Sequence, residues 1–363
     1  MRGDRGRVSG AGLLGGAYGR IVLLRRAWYA RPGRRRRLHH RVISVGNLSV
    51  GGSGKTPVVA ALARLLLQRG ERPVILTRGY GRREVTEGVL VVSDGQRVLE
   101  PVSRSGDEPQ LLARTLPGVP VLVCPDRYIA GLLAERHFGV TVSILDDGFQ
   151  HVQLERDVDL LLVSPADLED RVLPSGRLRE PLAAARFADA VLVPGTEDEV
   201  AEVAAALQHR HAFRVVPVYA NLVGRALSGP PGEPDPSTSS GSSRATSRDD
   251  KARPTGERVV AFAGIARPER FFNALRSLGY DVVRELTFRD HHWYTARDRQ
   301  AIESAAREAG ATLVVTTGKD AVRCDFDVGV LPMTASIEPA GDFHAWLIER
   351  LSAGRVQQEH AGG

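Results

Sequence analysis

Residues 44–56 read SVGNLSVGGSGKT, and the fold turns on how this stretch is read. A phosphate-binding P-loop asks for glycine, four residues, then Gly-Lys-Ser/Thr, and counting back from Gly54-Lys55-Thr56 puts Ser49 where the first glycine belongs. What survives is Gly51, Gly52, Ser53, Gly54, Lys55 and Thr56, preceded by the apolar run Val42-Ile43-Ser44-Val45 and followed by a helical stretch from Pro57 to Gln68. That context is what the chemistry needs. Glycines let backbone N–H groups curl around phosphate oxygens, the following helix offers its N-terminus to the anion, and the lysine reaches the β and γ oxygens. Thr56 is expected to hold Mg2+. A glycine-rich turn that binds nothing shares the composition, but not the strand before, the helix after and Lys-Thr at this offset.

Outward from the loop, β-rich runs at 42–46, 73–77, 120–124, 141–145, 159–163 and 189–193 alternate with helical patterns at 55–69, 107–115, 127–138 and 197–208. Short apolar strands alternating with helices predict an α/β fold, a P-loop NTPase-like, mainly parallel sheet sandwiched by helices. Between Ser228 and Glu257 the composition turns to Ser, Pro and Gly with almost no apolar residue, which reads as a flexible linker or insertion. A second alternation follows: strand Arg258–Phe262, helix 268–278, a strand around 281–286, helix 295–309, strand Thr312–Thr316 and a closing helix near 341–352. The expected organisation is an arm at 1–41, a P-loop domain at 42–227, the linker at 228–257, a smaller α/β domain at 258–353 and a tail at 354–363.

At 363 residues, 42% hydrophobic and 25% charged, the chain is long enough for two domains with cores of their own, and disorder throughout is excluded. The formal charge of +6, 49 basic less 43 acidic residues, is unevenly placed: residues 1–41 hold 12 Arg, no Lys and one acid, Asp4, a net +11, which leaves −5 for the rest. Such an arm meets a polyanion, either nucleic acid or an anionic membrane. Leu13, Leu14, Ala17, Tyr18, Ile21, Leu24 and Trp28 recur at helical spacing, and Trp28-Tyr29 adjoin Arg34-Arg35-Arg36-Arg37, as at a lipid interface. A membrane-associated amphipathic helix is therefore expected, and nucleic acid is not. Arg20, Arg25 and Arg26 interrupt the run, so a span of roughly 20 apolar residues is missing, and Arg25, on the apolar side, would have to snorkel. An ordinary helix packed on the protein's own core is the alternative. No apolar stretch leads to an A-x-A-type cleavage site, which argues for a protein that stays inside the cell. Cys124 and Cys324 offer neither a disulfide framework nor metal-ligand spacing, and the ten His show no zinc pattern.

Ligands of open α/β sheets bind at the carboxyl ends of strands, where three polar sets stand. The first is Asp146-Asp147-Gly148-Phe149-Gln150-His151, after the run Thr141–Leu145; a carboxylate there can hold Mg2+, although Asp-Asp-Gly is also a common turn. The second is Thr77-Arg78-Gly79-Tyr80-Gly81-Arg82 with Ser105-Gly106-Asp107-Glu108-Pro109, where arginines on glycine-containing loops suit phosphate clamping and Asp107 could be no more than a helix N-cap. The third is Phe288-Arg289-Asp290-His291-His292-Trp293-Tyr294 with Thr316-Thr317-Gly318-Lys319-Asp320. A His-His pair by itself is more often structural than catalytic.

Together these residues resemble the tetraacyldisaccharide 4'-kinases, the lipid A 4'-kinases of Gram-negative envelope synthesis. The carriers are GNLSVGGSGKTP (46–57), TRGYGR (77–82), GDEP (106–109), DRYIA (126–130), ILDDGFQH (144–151), LPSGRLREPL (173–182), FAGIARPERFF (262–272), FRDHHWYT (288–295) and TTGKDAV (316–322), all in the family's order. The family pattern accepts Ser at position 49. The resemblance implies transfer of the γ-phosphate of ATP, with Mg2+, to the 4'-hydroxyl of a tetraacylated glucosamine disaccharide 1-phosphate, giving a lipid IVA precursor and ADP. It implies an acid–base pair at Asp107 and His291, with His292 the neighbouring alternative, and Lys55 on the phosphates. The family's metal and phosphate contacts carry over to Thr56, Asp146, Asp147 and Glu180, and substrate contacts to Arg78, Tyr80, Arg127, Gln150 and His151. A lipid disaccharide substrate, the cytoplasmic face of the inner membrane as a peripheral or monotopic site, and a monomer complete what the resemblance implies.

The sequence departs from the family at Arg289, where Pro is usual, at Gly318, where Glu is usual, and at Ala266-Arg267, where Gly-Asn is expected. A membrane-associated P-loop ATPase or GTPase switch is the competing expectation; Thr317-Gly318-Lys319-Asp320 lacks the Asn and spacer of a guanine-specificity motif.

Overall fold

The computed structural model describes residues 10–51, 54–223 and 256–361. Gly52 and Ser53 of the expected phosphate loop, residues 1–9 of the arm and nearly all of the 228–257 stretch lie outside the described residues. The strands are β1 (Arg41–Asn47), β2 (Pro73–Thr77), β3 (Leu90–Asp94), β4 (Pro120–Val123), β5 (Val142–Asp146), β6 (Val158–Leu162), β7 (Ala190–Pro194), β8 (Ala212–Tyr219), β9 (Arg258–Ala263), β10 (Asp281–Thr287), β11 (Leu313–Thr317), β12 (Gly329–Leu331) and β13 (Met333–Glu338). The chain divides into two compact units, one running through Val218 and resuming at Thr334, the other Tyr219–Met333.

In the larger unit nine strands form one sheet in the order β13-β8-β7-β6-β1-β5-β2-β4-β3. The strands from β7 through β4 run parallel, and β3 joins β4 antiparallel. Such apolar runs as Val-Ile-Leu-Thr in β2 and Val-Asp-Leu-Leu-Leu in β6 are buried along their whole length, which a sheet covered on both faces requires. Strand order reverses at β1, which lies between β5 and β6, so the loop after β1 opens at the switch point where α/β sheets bind ligands.

On one face Val58, Val59, Leu62 and Leu66 of the helix Lys55–Gln68 pack against Ile43, Val45, Ile75 and Ile144. The same core holds Phe343, Trp346, Leu347 and Leu351 from the helix Ala340–Ala361, with Phe343 edge-on to Phe213 of β8 at 5.1 Å between centroids. Each fully buried Leu or Phe contributes about 2 kcal/mol. Here the domain limits differ from expectation: the closing helix belongs to the larger sheet and not to a 258–353 domain. The reason lies in β8 and β13, the strands that carry the chain out and back. Pro217 interrupts the apolar run of β8, and Met-Thr-Ala-Ser-Ile-Glu in β13 shows little alternation, so neither announces itself. The smaller unit is a parallel four-stranded sheet, β10-β9-β11-β12, with apolar side chains on both faces.

The helix Gly10–Tyr29 lies against the larger unit along Gly15, Gly19 and Arg26. A Cβ on Gly15 would stand 3.2 Å from the Val172 carbonyl, and one on Gly19 3.1 Å from Pro181, so the glycines set how closely the helix approaches. Arg26 is the buried arginine. Its Nε and Nη2 donate to the two Glu180 oxygens at 2.6 and 3.0 Å, Nη2 also to the Phe149 carbonyl at 2.9 Å, and the guanidinium lies over the Phe149 ring. Arg25, the residue expected to snorkel, is exposed. Both members of the Arg26–Glu180 pair are almost wholly buried, at 4% and 2% exposure, so Arg26→Met strands a carboxylate and should cost about 3–5 kcal/mol of unfolding free energy. Arg26→Met with Glu180→Leu should recover most of it. Denaturant midpoints check both, and an undiminished midpoint for the single variant would show that the pair does not hold the helix.

Candidate active site

The loop after β1 explains its own irregularity. Ser49 pairs with Leu178 in an antiparallel bridge, and Val50 N–H donates to the Arg177 carbonyl at 2.9 Å, so position 49 is extended backbone that needs no glycine. Gly51 and Gly54 do require it, with φ of 109° and 83°. Gly54 caps the helix Lys55–Gln68, which brings Lys55 and the buried Thr56 to its first turn.

Lys55 Nζ donates to Asn47 Oδ1 at 2.9 Å and stands 3.4 Å from Asp147 Oδ1. Arg179 closes the group: its Nη1 and Nη2 reach the two Asp147 oxygens at 2.9 and 2.8 Å, and Nη2 also donates to Asn47. Asp147 adopts a left-handed φ of 53° just past β5, which turns its carboxylate toward the loop lysine. Burial opposes its ionisation, but the Arg179 fork and Lys55 outweigh burial and hold the carboxyl well below the ordinary range.

Its neighbour behaves oppositely. Asp146, the last residue of β5, is buried, and burial first, then the Glu108 and Asp147 charges, push its carboxyl up to about 7 against the pull of Lys55 and Arg127. Glu108 follows Asp107 at the start of the helix Asp107–Thr115. Asp107 is buried and is the first helical residue, not the cap; Gly106 caps, at φ 87°, and a Cβ there would stand 2.8 Å from the Tyr80 carbonyl. The GDEP and TRGYGR segments are thereby in contact.

A cavity of about 330 Å3 has Arg25, Arg78, Arg127, Asp147, Arg179, Gln150 and His151 among its lining residues. With Asp147 already matched by Lys55 and Arg179, the lining is positive. Arg127 Nε, Arg179 Nε, Gln150 Oε1 and His151 Nε2 are buried without hydrogen-bond partners, the pattern of a polar site built for a ligand. Burial, reinforced by Arg127, lowers the His151 imidazole to about 4, so it is neutral at physiological pH. Tyr80 is mostly exposed and does not line this cavity.

The third set falls in the smaller unit, at the carboxyl ends of β10 and β11. His292 is committed to structure: its Nε2 lies 3.1 Å from Asp298 Oδ2 and its ring stacks on Phe288 at 4.9 Å. His291 takes a left-handed φ of 58° with a half-buried side chain. Glu180, expected among the metal contacts, instead spends both oxygens on Arg26. Among the described residues no group of three or more His, Cys, Asp or Glu could hold a metal by itself. Sequence reasoning passed over Asn47, Glu108 and Arg179, although each sits inside a quoted block. The bridge from Ser49 to Leu178 is what brings residue 179 to the phosphate loop, and no local pattern signals it.

Over residues 12–352 the chain matches the family described as tetraacyldisaccharide-1-P 4'-kinase. A tetraacyldisaccharide 4'-kinase of Geobacter metallireducens is 44% identical over 292 residues, 79% of this chain and 80% of the relative, and one of Geobacter sulfurreducens is 41% identical over 329 residues, 88% and 85%. The crystal structure of the "apo" form of LpxK from Aquifex aeolicus in complex with ATP superposes with a TM-score of 0.72 at 32% identity, covering 93% of this chain and 98% of that one. A glycine-rich loop between strand and helix, a paired-aspartate strand end and an arginine-lined cavity thus coincide with sequence likeness over residues 12–352, and the protein belongs to the tetraacyldisaccharide 4'-kinase family.

Proposed function

We propose that this protein transfers the γ-phosphoryl group of ATP to the 4'-hydroxyl of a tetraacyldisaccharide 1-phosphate at the cytoplasmic face of the inner membrane. The observation that carries the reading is the arginine-lined cavity bordering Asp147, beside the phosphate loop, in a chain of this family. Lys55 and the loop amides receive the nucleotide phosphates, Asn47 Oδ1 holds the Lys55 ammonium in place, and Arg179 stands beside them to meet charge on the transferring group. Thr56 and Asp146 fit a divalent cation: burial first, and then the nearby Glu108 charge, raise the Asp146 carboxyl to about 7, a cost that a bound cation would offset. Bound there, Mg2+ would neutralise the phosphate oxygens.

The acceptor oxygen bonds to the γ-phosphorus, the bond to the bridging β,γ-oxygen breaks, ADP leaves with its electron pair, and the hydroxyl proton passes to Asp107. His291, carried by the smaller unit, is the residue proposed to work with Asp107, since His292 is tied to Asp298. Arg78, Arg127, Gln150 and His151 are proposed to bind substrate from the cavity wall, with Tyr80 contributing from the rim loop.

The membrane reading is supported by the outer side of the N-terminal helix. Tyr18, Ile21, Leu24 and Trp28 are 38–69% exposed, opposite the buried glycines, and Arg34 and Arg31 lie over the Trp28 ring. No helix among the described residues is long and apolar enough to cross a membrane.

In an assay with γ-labelled ATP, Mg2+ and detergent-dispersed tetraacyldisaccharide 1-phosphate, label should appear in the lipid. Asp107→Ala should lower transfer by about a hundredfold or more while ATP still binds. Phosphate release that ignores the lipid would point instead to an ATPase switch. Because a carboxylate must be ionised to hold a cation, MgATP affinity should fall roughly tenfold per pH unit below 7 and level off above it. Calorimetry in two buffers of different ionisation heat should detect a proton released on binding near pH 6.5, and no release would remove Asp146 from the cation site. Replacing Ile21 and Leu24 by Glu should abolish flotation with phosphatidylglycerol vesicles; undiminished flotation would refute the helix as the docking surface.

A further inference from the structure

In the smaller unit one carboxylate collects four donors, two from its own segment and two from segments distant in sequence. Asp320, wholly buried, accepts at Oδ1 from the Gly264 N–H at 3.1 Å, the Tyr294 hydroxyl at 2.9 Å and Arg323 Nη2 at 2.6 Å, and at Oδ2 from the Thr317 hydroxyl at 2.7 Å. Gly264 follows β9, Tyr294 follows the His-His segment, Thr317 ends β11, and Arg323 lies beyond. The same Gly264 whose N–H is held by Asp320 gives its carbonyl to the His291 N–H at 3.1 Å and to Arg323 at 3.2 Å. A Cβ at Gly264 would stand 3.0–3.2 Å from the Arg289 carbonyl, the Tyr294 hydroxyl and Asp320 Oδ1, so the segments are in close contact.

The left-handed turn at His291 is therefore gripped at both ends. Upstream, Phe288 N–H donates to the Ala263 carbonyl at 2.9 Å; downstream, Tyr294 is fixed by Asp320 and packs edge-on against Phe262 at 5.0 Å. A non-glycine residue at positive φ persists only where its surroundings over-determine it. We propose that Asp320 is a positioning residue for His291: through Gly264 and Tyr294 it holds the backbone turn that aims the imidazole. The proposal rests on the reading of His291 as the partner of Asp107, and extends it to a residue with no contact to the reacting atoms. It also gives the TTGKDAV segment a role distinct from nucleotide binding.

The test uses the full chain with histidine labelled in 15N. Tyr294→Phe removes one donor and keeps the ring; Asp320→Asn removes the charge at constant shape. Tyr294→Phe is informative even where Asp320→Asn fails to fold. The expected results are a shift of the imidazole resonances that disappear in His291→Ala, a fall in kcat for lipid phosphorylation of about tenfold to a hundredfold with KM for ATP unchanged, and little further loss when either change is added to His291→Ala. Unshifted His291 resonances in Tyr294→Phe would overturn the proposal, as would losses that multiply fully with that of His291→Ala. If His291→Ala itself left turnover intact while the resonances still shifted in Tyr294→Phe, the positioning of the turn would stand and the catalytic reading of His291 would fall.

Discussion

Asp147 is the point on which the site of the larger unit depends. One carboxylate, turned out of β5 by a left-handed residue, is shared between the lysine of the phosphate loop and the arginine fork of residue 179, and Asn47 at the end of β1 joins both. Three segments far apart in sequence are thereby held within one hydrogen-bonded group. Like charges brought this close, Lys55 and Arg179, are tolerable only around an anion. Asp147 supplies that anion within the protein, and a nucleotide phosphate is chemically suited to take over the same donors. The adjacent Asp146 has the opposite character, a carboxyl that burial and neighbouring acids raise to about 7. Paired aspartates with divergent proton affinities are what a site needs if one is to anchor cations of the protein and the other to receive a metal.

The sheet was legible because β1, β2, β5, β6 and β7 are apolar runs between helices of ordinary pattern, and buried parallel strands leave that trace in any sequence. The strand, loop and helix around Lys55 were legible for the same reason, through local spacing. Ser49 looked like a defect only because the motif is written as a string; its neighbour across the bridge, Leu178, supplies the constraint that the string omits. Arg179, Asn47 and Glu108 were hidden because their roles arise from contacts over long sequence separations. Glu180 was assigned by position within a block, and the partner that occupies it, Arg26, comes from a helix 154 residues earlier. The helix that carries Trp346 follows the smaller unit in sequence but packs in the core of the larger one, so proximity in sequence does not stand for proximity in space.

The excess of arginine at the N-terminus resolves into separate tasks. Arg26 is a buried tie to the body of the larger unit, Arg25 reaches the Gln150 carbonyl at the cavity, and Arg31 and Arg34 surround the exposed Trp28. A formal charge count treats them as one basic patch, but burial and ring contacts separate them. Arg26 also shows how an arginine can sit on the buried, glycine-lined side of the helix: its charge is satisfied by Glu180 and its plane by Phe149.

The return of the chain to the larger sheet through β13 has a consequence for how the molecule is made. β8 and β13 are neighbours, yet the whole of Tyr219–Met333 is synthesised between them. Closing so long an interval is entropically costly, and contacts of this sequence separation form late. During synthesis the face lined by Phe213 waits, unsealed, until Phe343 and Trp346 have been made. The smaller unit, contiguous in sequence, has all its strands available before that moment. The order of assembly is thus written into the connectivity: the inserted unit first, the seam of its host last, with the nascent larger core as the surface that a chaperone would shield.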